Sequence, residues 1–402
     1  MAAVRRFLQP PAGGFFLFGP RGTGKSTWLA QQFPNAVRLD LLDPAVLRAY
    51  QARPERLKER LAASPEADTV VIDEVQRAPQ LLDVVHSLLE DRTFWSGQAA
   101  PRFVLTGSSA RKLRHGASNL LAGRLVEAAM PPFLAAELGD TFNLSRALQI
   151  GLVPLIWEAS DPAATLAAYA SLYLQEEVQA EALVRQIGDF SRFLEVISFS
   201  QASQLNLASL AREAEIPRKR AESYLGILKD LLLAFEVPVF QKRAQRQLVQ
   251  HAKFFFFDVG VYRSLRPRGP LDGPEEIEGV ALESLVAQHL RAFCQLRRRG
   301  ETLHFWRTRS GLEVDFVVYG PDVFWAIAVK RRARIERRDL AGLQAFGKDY
   351  PQAQRWLLSL APEHLMIDGI RCEPLDAWLR QFHPLEESPG QLEPPGIDYQ
   401  AR

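Results

Sequence analysis

Short apolar runs that end in small or polar residues dominate the first third of the chain. One run, Phe15–Phe18, precedes a glycine-rich segment and then an amphipathic segment that starts near Thr27. Two further runs, residues 70–72 and 103–105, are also followed by polar residues. Runs of this length are typical of strands buried on both faces, and a 3.6-residue apolar period is typical of helices. The pattern predicts an α/β module with a parallel sheet over residues 1–140.

The remaining residues follow different patterns. Residues 141–200 have helical periodicity and are expected to form a helical lid or linker. Residues 201–265 place two helical segments ahead of two apolar strands, which is the order of a winged-helix-like domain. Residues 275–380 have the order helix, strand, strand, helix and predict a second α/β domain. Residues 384–402 are polar and proline-rich and are expected to form a flexible tail.

Composition excludes several classes of protein. Hydrophobic residues make up 47% of the chain and charged residues 24%, as in ordinary globular proteins, and the net charge of +2 selects no partner. The two cysteines, Cys294 and Cys372, lack metal-ligand spacing and exclude a disulfide scaffold. No apolar run reaches the ~18 residues of a spanning helix, and the amino terminus lacks the apolar core of a signal peptide. We expect a cytoplasmic protein with no membrane partner.

The glycine-rich segment after the first strand carries the clearest chemistry. Residues 19–26 read GPRGTGKS, the phosphate-loop pattern G-x-x-x-x-G-K-S, here between a predicted strand and a predicted helix. In this pattern backbone N–H groups surround the β-phosphate of ATP, the lysine reaches the β- and γ-phosphates, and the serine hydroxyl binds Mg²⁺. The expected cofactor-binding residues are Gly19, Pro20, Arg21, Gly22, Thr23, Gly24, Lys25, Ser26 and Thr27.

An acidic pair follows the second apolar run. Asp73 is predicted to hold Mg²⁺ together with Ser26, and Glu74 is predicted to be the general base that polarises the attacking water. The third run ends in polar residues, of which Ser108 is the preferred contact to the γ-phosphate or the water. Thr106 is the alternative, and a polar helix cap is a further interpretation of the same residues.

An arginine after a glycine is a candidate for catalysis between subunits. Arg124 would reach the γ-phosphate bound by a neighbouring subunit and stabilise charge in the transition state, or it is a solvated arginine at a helix end. Arg111 and Arg114 are weaker candidates for the same role. A finger of this kind requires a homo-oligomer, of which a hexamer is one form. The expected catalytic residues are Glu74, Lys25, Ser108 and Arg124.

Basic residues start the second helix of residues 201–265 and fill the loop between its two strands. These are positions where winged-helix proteins contact DNA, which is the preferred interpretation, and a rigid protein-binding module with solvated basic residues is the alternative. The candidate DNA-binding residues are Arg218, Lys219, Arg220, Lys242, Arg243 and Arg246. The four phenylalanines at 254–257 are expected in a strand buried on both faces.

Three residues of the carboxy-terminal domain fit a PD-(D/E)xK nuclease site, which belongs to a restriction-endonuclease-like fold. In such a site two carboxylates hold Mg²⁺, and here Glu283 and Asp315 take those positions and Lys330 that of the lysine. The position two before the lysine needs a carboxylate but is Ala328. A hard cation with few anionic ligands is held weakly, so the sequence predicts a nuclease fold without the reaction. Glu313 lies on the same strand face as Asp315 but about 7 Å away, and does not obviously replace the ligand.

The remaining groups of this degenerate site allow two arrangements. Asp315 and Lys330 would form a buried ion pair, or a basic groove would hold nucleic acid without cutting it. The arginines of that groove are Arg307, Arg309, Arg331 and Arg332.

Several of these segments together resemble one family. "LFGPRGTGKS", "VVIDEVQRAPQLL", "FVLTGSSARKL" and "LAGR" resemble prokaryotic AAA-type ATPases that carry a carboxy-terminal domain of unknown function with a degenerate nuclease fold. The extension at residues 75–79 is the most specific part of this resemblance. The resemblance implies an AAA+ ATPase module over about the first 140 residues, with Arg124 in the Gly-Arg position of the family. Leu152 and Val153 after Gly151 depart from the Gly-Gly-Leu-Pro segment of the family.

Three functions remain open at this point. The leading hypothesis is an oligomeric, ATP- and Mg²⁺-dependent motor or translocase that acts on duplex or branched, Holliday-type DNA. The alternative is a nucleotide-dependent switch that assembles a signalling or defence complex with protein partners. The third is an ATP-regulated nuclease.

Overall fold

Three sheets organise the molecule. The structure is a computed structural model that describes residues 4–91, 93–95, 100–108, 121, 123–173, 187–244, 246–270 and 272–386. Its sheets have five, three and six strands in chain order. Arg111, Arg114 and the predicted tail from residue 387 onward lie outside the described residues.

The first sheet is parallel, as the apolar runs predict. Its strands are β1 (Phe15–Phe18), β2 (Val37–Asp40), β3 (Thr69–Asp73), β4 (Arg102–Gly107) and β5 (Val126–Ala129), in the order β2-β3-β4-β1-β5. Side chains alternate between two faces along β1, so Phe16 and Phe18 join one core cluster while Phe15 and Leu17 join another. Both faces are therefore covered. The helices of this part are α1 (Lys25–Gln32), α2 (Pro44–Ala52), α3 (Arg56–Ala62) and α4 (Leu81–Glu90).

A helical segment follows the first sheet. Its helices are α5 (Ala135–Leu138), α6 (Leu144–Ile150), α7 (Pro154–Trp157), α8 (Pro162–Ala168), a π-helical turn at Tyr169–Tyr173, and α9 (Ile187–Ser198). Local sequence starts these helices: Asn143 and Asp161 accept backbone N–H groups at the amino ends of α6 and α8. Proline occupies the first turn of α7 and of α8, where its missing N–H costs nothing.

The second sheet is antiparallel with the order β6-β8-β7. Its elements along the chain are β6 (Ser203–Gln204), α10 (Leu207–Glu213), α11 (Arg218–Asp230), β7 (Ala234–Val237) and β8 (Lys253–Phe256), followed by α12 (Val259–Leu265). Phe254, Phe255 and Phe256 are between 0% and 2% exposed, which confirms the prediction of a strand buried on both faces. Phe257 is also buried but lies directly after the strand.

The third sheet is mixed, with the order β13-β14-β12-β11-β10-β9. Its elements are α13 (Pro274–Arg297), β9 (Thr302–Arg307), β10 (Glu313–Tyr319), β11 (Phe324–Lys330), α14 (Ala341–Asp349), β12 (Gln354–Ser359), β13 (Leu365–Ile367), β14 (Ile370–Pro374) and α15 (Leu375–Gln381). β9, β10 and β11 pair antiparallel, while β11, β12 and β14 pair parallel.

The loop between β7 and β8 packs along the edge of the third sheet. The Phe240 N–H donates to the Phe305 carbonyl at 2.7 Å, and the Val249 N–H donates to the Arg307 carbonyl at 3.1 Å. Phe255 of β8 packs on Phe316 of β10 with ring centroids 5.9 Å apart. The second and third sheets therefore share one core, and the basic loop predicted as a wing is docked on β9.

Helix α13 connects the third sheet to the first. Its residues Ala292 and Leu296 join the core cluster of Phe15 on β1. His289 of the same helix is fully buried, and its Nε2 accepts the N–H of Ala135 at 3.0 Å. In the part of the chain that the structure covers, no helix combines the length and the apolar character needed to cross a membrane.

Candidate nucleotide site and carboxylate cluster

The phosphate-loop sequence forms a loop between β1 and α1. Gly22 and Gly24 have φ of 81° and 88°, a left-handed conformation that favours glycine. α1 begins at Lys25, two residues before the expected start. The buried Lys25 amine donates to the Gly19 carbonyl at 2.7 Å, so the loop curls around the amine. A group placed in this way can bind phosphate once a nucleotide competes for it.

Three successive carbonyls of the loop, those of residues 21–23, accept hydrogen bonds from distant segments. The Tyr169 hydroxyl donates to the Arg21 carbonyl at 3.0 Å. The Leu155 N–H donates to the Gly22 carbonyl at 3.1 Å, and Arg6 Nη1 donates to the Thr23 carbonyl at 2.9 Å. The two groups of a peptide unit point in opposite directions, so holding these carbonyls outward directs the following N–H groups into the loop.

Arg6 is part of a buried ion pair that the sequence did not reveal. Its Nε lies 3.1 Å from Glu137 Oε2, and the two side chains are 6% and 1% exposed. Its Nη2 donates to the Pro131 carbonyl at 2.6 Å, while Glu137 Oε1 accepts the Phe7 N–H at 2.6 Å. The pair thus ties the amino-terminal segment and the phosphate loop to α5. Nothing in the sequence around Arg6 distinguishes it from its neighbour Arg5.

The predicted magnesium ligands are adjacent. The Ser26 hydroxyl donates to Asp73 Oδ2 at 2.6 Å. Thr106 at the end of β4 donates its hydroxyl hydrogen to Asp73 Oδ1 and accepts the Glu74 N–H at 3.0 Å. Because β4 lies between β3 and β1, its end residue can orient the carboxylate of Asp73 toward Ser26. A hydroxyl and a carboxylate are hard oxygen donors that suit Mg²⁺ when phosphate oxygens complete the shell.

Glu74 belongs to a second group of polar side chains. Ser108 donates its hydroxyl hydrogen to Glu74 Oε2 at 3.2 Å. The Gln76 amide also donates to that oxygen and, at 3.1 Å, to the Ser108 hydroxyl. Glu74 has φ of 58°, which is uncommon for a residue other than glycine and typical of functional sites. Ser108 thus contacts Glu74, while Thr106 contacts Asp73. The two candidates for a contact to the γ-phosphate or the attacking water therefore lie beside different carboxylates.

Gln76 was missed by the sequence analysis. It is 7% exposed, and its Oε1 has no hydrogen-bond partner among the described residues. The only sequence signal for it was its place in the segment 75–79 that follows the acidic pair.

Arg124 lies at the surface of the first module. It follows Gly123, whose φ is 82°, and its Nε donates to Glu90 Oε1 at 2.7 Å at the end of α4. The two side chains are 36% and 54% exposed. A surface position is compatible with both interpretations of Arg124, the finger and the solvated arginine.

The six candidate DNA-binding residues divide between α11 and the docked loop, and acidic side chains neutralise several of them. Arg218 pairs with Glu222 at 3.0 Å, and Arg220 pairs with Asp189. Lys219 is exposed.

The basic residues of the docked loop lie on the third sheet and its helix. Arg246 pairs with Asp349 at 2.7 Å, and hydrogen bonding to that carboxylate raises the pKa of Arg246. Lys242 lies 4.0 Å from the centre of the Tyr319 ring, and Arg243 is exposed.

The three predicted residues of the degenerate nuclease site come together around a lysine that the sequence analysis did not include. Lys253 of β8 lies 2.8 Å from Glu283 Oε1, 2.5 Å from Glu313 Oε1 and 3.8 Å from Asp315 Oδ1. Lys330 lies 3.4 Å from Asp315 Oδ2, as one of the two predicted arrangements requires. Glu313 therefore takes part in the cluster as an ion-pair partner of Lys253. That it does not replace the missing metal ligand stays a prediction.

The pKa values in this cluster follow from burial and charge. Burial raises the pKa of Glu283 to about 7, against the opposing attraction of Lys253. Burial alone would lower the pKa of Lys253, but the attraction of Glu283 and its neighbours raises it. For Asp315, burial would raise the pKa, but Lys330 and Lys253 lower it.

The predicted basic groove is largely neutralised by carboxylates. Arg331 pairs with Glu278 at 2.7 Å, and Arg332 pairs with Glu336 at 2.5 Å. Arg307 lies 3.2 Å from Glu313 Oε2. Arg309 instead donates to the Gln247 side chain at 3.1 Å.

Comparison with known families assigns the first module. Residues 13–139 match the family described as AAA domain. Residues 141–272 and 278–378 match two families that are each described as a domain of unknown function, DUF8612 and DUF4143. The family match and the phosphate-loop geometry together define the amino-terminal part as a P-loop AAA+ ATPase module.

Several solved structures are similar to the chain at a low level. The ORC2 protein of Aeropyrum pernix, solved as ADPNP–ADP complexes, is 14% identical over 69% of this chain and 89% of its own, with a TM-score of 0.33. Cdc6p of Pyrobaculum aerophilum is 14% identical over 70% of this chain and 90% of its own, with a TM-score of 0.26. The Aeropyrum pernix ORC1 protein, solved in complex with DNA, is 14% identical over 64% of this chain and 87% of its own, with a TM-score of 0.25. No curated protein matches the chain.

Proposed function

We propose that this protein is a Mg²⁺-dependent ATP hydrolase whose nucleotide state controls the carboxy-terminal two thirds of the chain. The observation that carries the proposal is the convergence of two polar groups on the phosphate loop: Ser26 with Asp73, and Glu74 with Ser108. Such a pair of groups supplies the metal shell and the general base of ATP hydrolysis.

Each side chain of the site has a distinct part in this mechanism. Lys25 binds the β- and γ-phosphates and gives up its contact to the Gly19 carbonyl when it does so. Glu74 takes a proton from the attacking water, while Ser108 and Gln76 orient its carboxylate. The bound Mg²⁺, held by Ser26 and Asp73, would neutralise charge that develops on the phosphate oxygens.

Control of the rest of the chain follows from the contacts to the loop. Leu155 and Tyr169 donate to the Gly22 and Arg21 carbonyls from outside the sheet. When a bound nucleotide phosphate moves these peptide units, α7 and the π-helical turn should move with them, because they are hydrogen-bonded to the same units. The proposed output is a rearrangement of α6 to α8 against α12, with which they share a core cluster.

The hydrolase is tested by steady-state ATPase and nucleotide-binding assays on two variants. Lys25→Ala should abolish nucleotide binding, because it removes the phosphate-binding amine. Glu74→Gln should bind ATP and hydrolyse it at least ~10²-fold more slowly, as expected for loss of a general base. Glu66→Gln is the matched control, since Glu66 is exposed on a loop. Normal turnover in Glu74→Gln would show that the base is another residue.

The partner of this hydrolase is either a protein or DNA. The ion pairs of Arg218, Arg220 and Arg246 favour a nucleotide-dependent switch with a protein partner. Each guanidinium is already paired with a carboxylate, which DNA phosphates would have to displace. A DNA motor on duplex or branched DNA is the second candidate, supported by exposed Lys219 and Arg243 and by the ease with which surface ion pairs exchange. In either case a homo-oligomer, for example a hexamer, would bring Arg124 to a neighbouring nucleotide.

ATPase assays with single-stranded, duplex and four-way-junction DNA separate these candidates. Stimulation that fades as salt rises, and that Lys219→Ala weakens, would support the DNA motor. Unchanged turnover, with no DNA retained in a binding assay at low salt, would support the protein switch.

A further inference from the structure

The carboxylate cluster of the third sheet contains a cation supplied by another sheet. Lys253 belongs to β8 of the three-stranded sheet, while Glu283 lies on α13, and Glu313 and Asp315 lie on β10. The Lys253 side chain is 3% exposed and its amine lies within 4 Å of all three carboxylates. One face of its surroundings is the Phe305 ring, whose centre is 5.3 Å from the amine.

Charge in the cluster balances only when Lys253 is included. Lys330 pairs with Asp315 at 3.4 Å, and Arg307 pairs with Glu313 at 3.2 Å. Among the residues with described positions, Lys253 is the one cation within ion-pair distance of Glu283. Three carboxylates therefore face three cations, and the amine of Lys253 is the most buried of the three.

A divalent metal ion, which the nuclease resemblance implies, does not fit this arrangement. The described residues contain no group of three His, Cys, Asp or Glu side chains that could hold a metal ion. Ala328 takes the place of one expected ligand. An ammonium needs no octahedral shell. The amine of Lys253 is within hydrogen-bond distance of Glu283 and Glu313, and Asp315 at 3.8 Å adds a third negative charge.

We propose that Lys253 is the resident cation of this centre, a tethered ammonium in the position where the related fold would hold a metal ion. The centre is then independent of metal, and its cation joins the three-stranded sheet to the six-stranded sheet. Removing the ammonium leaves Glu283 without a counter-charge and opens the carboxylates to a cation from solution.

The proposal is tested on the full chain with Lys253→Met, which keeps the length of the side chain and removes its charge. The matched control is Lys229→Met. Lys229 on α11 also pairs with a carboxylate, that of Glu236 on β7 of the three-stranded sheet, but it is 44% exposed. In EDTA the melting temperature of Lys253→Met should fall by roughly 5 °C or more, since a buried charge loses its partner. The control should melt within about 1 °C of the wild type, because surface pairs contribute little. Equal melting of the two variants would overturn the proposal.

Metal binding provides the second measurement. Lys253→Ala leaves room for a cation, so in the absence of nucleotide millimolar Mn²⁺ should raise its melting temperature, while that of the wild type should not respond. By electron paramagnetic resonance the wild type should bind no more Mn²⁺ than Asp315→Asn, which keeps the Ser26 and Asp73 site. Mn²⁺ bound to wild type and lost in Asp315→Asn would overturn the proposal, as would the absence of any response in Lys253→Ala.

A compensating variant keeps the test decisive if Lys253→Met and Lys253→Ala do not fold. Adding Glu283→Gln to Lys253→Met removes the charge left behind, so the double variant should fold and melt above the single one. Failure of the double variant to recover would show that Lys253 acts through packing instead of charge.

Discussion

His289 offers a direct measure of how the ATPase module is attached to the carboxy-terminal part of the chain. It is fully buried on α13, its Nε2 accepts the Ala135 N–H at 3.0 Å, and its Nδ1 lies 2.8 Å from the Leu285 carbonyl. These contacts fit a neutral ring with its proton on Nδ1, because a proton on Nε2 would face another N–H. Burial lowers the pKa of His289 to about 4, and the hydrogen bond to Leu285 offsets this only in part.

The contribution of His289 to the pH dependence of the free energy of unfolding follows from the difference between its folded and unfolded pKa values. The pKa of His289 falls from the ordinary histidine value of 6.5 to about 4 on folding, which corresponds to ~3 kcal/mol. Because the unfolded chain binds the proton more tightly, this contribution to stability is complete above pH ~6.5 and is lost as the pH falls toward ~4. Within that window the slope is about 1.4 kcal/mol per pH unit.

The assay compares urea unfolding of wild type and His289→Gln between pH 7 and pH 4.5. Their free energies of unfolding should converge by roughly 1.4 kcal/mol per pH unit as the pH falls, because the amide does not titrate. The two proteins must be compared because another group also makes stability depend on pH. Burial raises the pKa of Asp258 to about 6, so its protonation stabilises the folded chain as the pH falls from about 6 to about 4. Asp258 is present in both proteins, so its effect cancels in the difference between their free energies of unfolding. His251→Gln is the control, since His251 is exposed. A difference that stays constant over this range would refute a buried, neutral His289.

Three further substitutions test individual contacts of the fold and of the candidate site. Arg6→Ala should lower the free energy of unfolding by about 3–5 kcal/mol in urea melts, because it leaves Glu137 buried without its partner. Gly151→Ala should cost more than about 2 kcal/mol by the same measurement, because the new Cβ would lie 1.9 Å from Asp258 Oδ1 at a φ of 76°. Arg124→Ala should leave ATP affinity intact and lower turnover, if the arginine acts on a neighbouring subunit.

Each of these predictions has its own control. Arg5→Ala removes an exposed arginine beside Arg6 and should melt like wild type. Gly188→Ala adds a Cβ that meets nothing within 4 Å. For Arg124, turnover should recover in mixtures with Lys25→Ala subunits, which keep the arginine but cannot bind ATP. Absence of recovery at every mixing ratio would argue against the finger.

The sequence already groups the residues of the candidate nucleotide site, because the patterns that mark them are local. Residues 19–26 are contiguous, and Asp73 and Glu74 directly follow a strand whose apolar character is plain. Parallel strands bring such strand ends to one edge of a sheet, so the order of elements alone places them near one another.

Contacts between distant segments are the part that the sequence could not supply. Arg6 and Glu137 are 131 residues apart, and no local pattern selects Arg6 over Arg5. Lys253 precedes four phenylalanines in a strand that belongs to a different sheet from the carboxylates it meets. Such contacts depend on how the sheets pack together, which apolar periodicity leaves open.

The hydrogen bonds to the phosphate loop bear on how far the chain can be divided. A fragment that ends at residue 140 would keep the donor on Arg6 but lose those of Leu155 and Tyr169. The Arg21 and Gly22 carbonyls would then lose these two hydrogen bonds, and the direction of the N–H groups that follow them would be held less firmly. The first two family matches meet near residue 140. We therefore expect a fragment that ends there to bind nucleotide more weakly than the full chain.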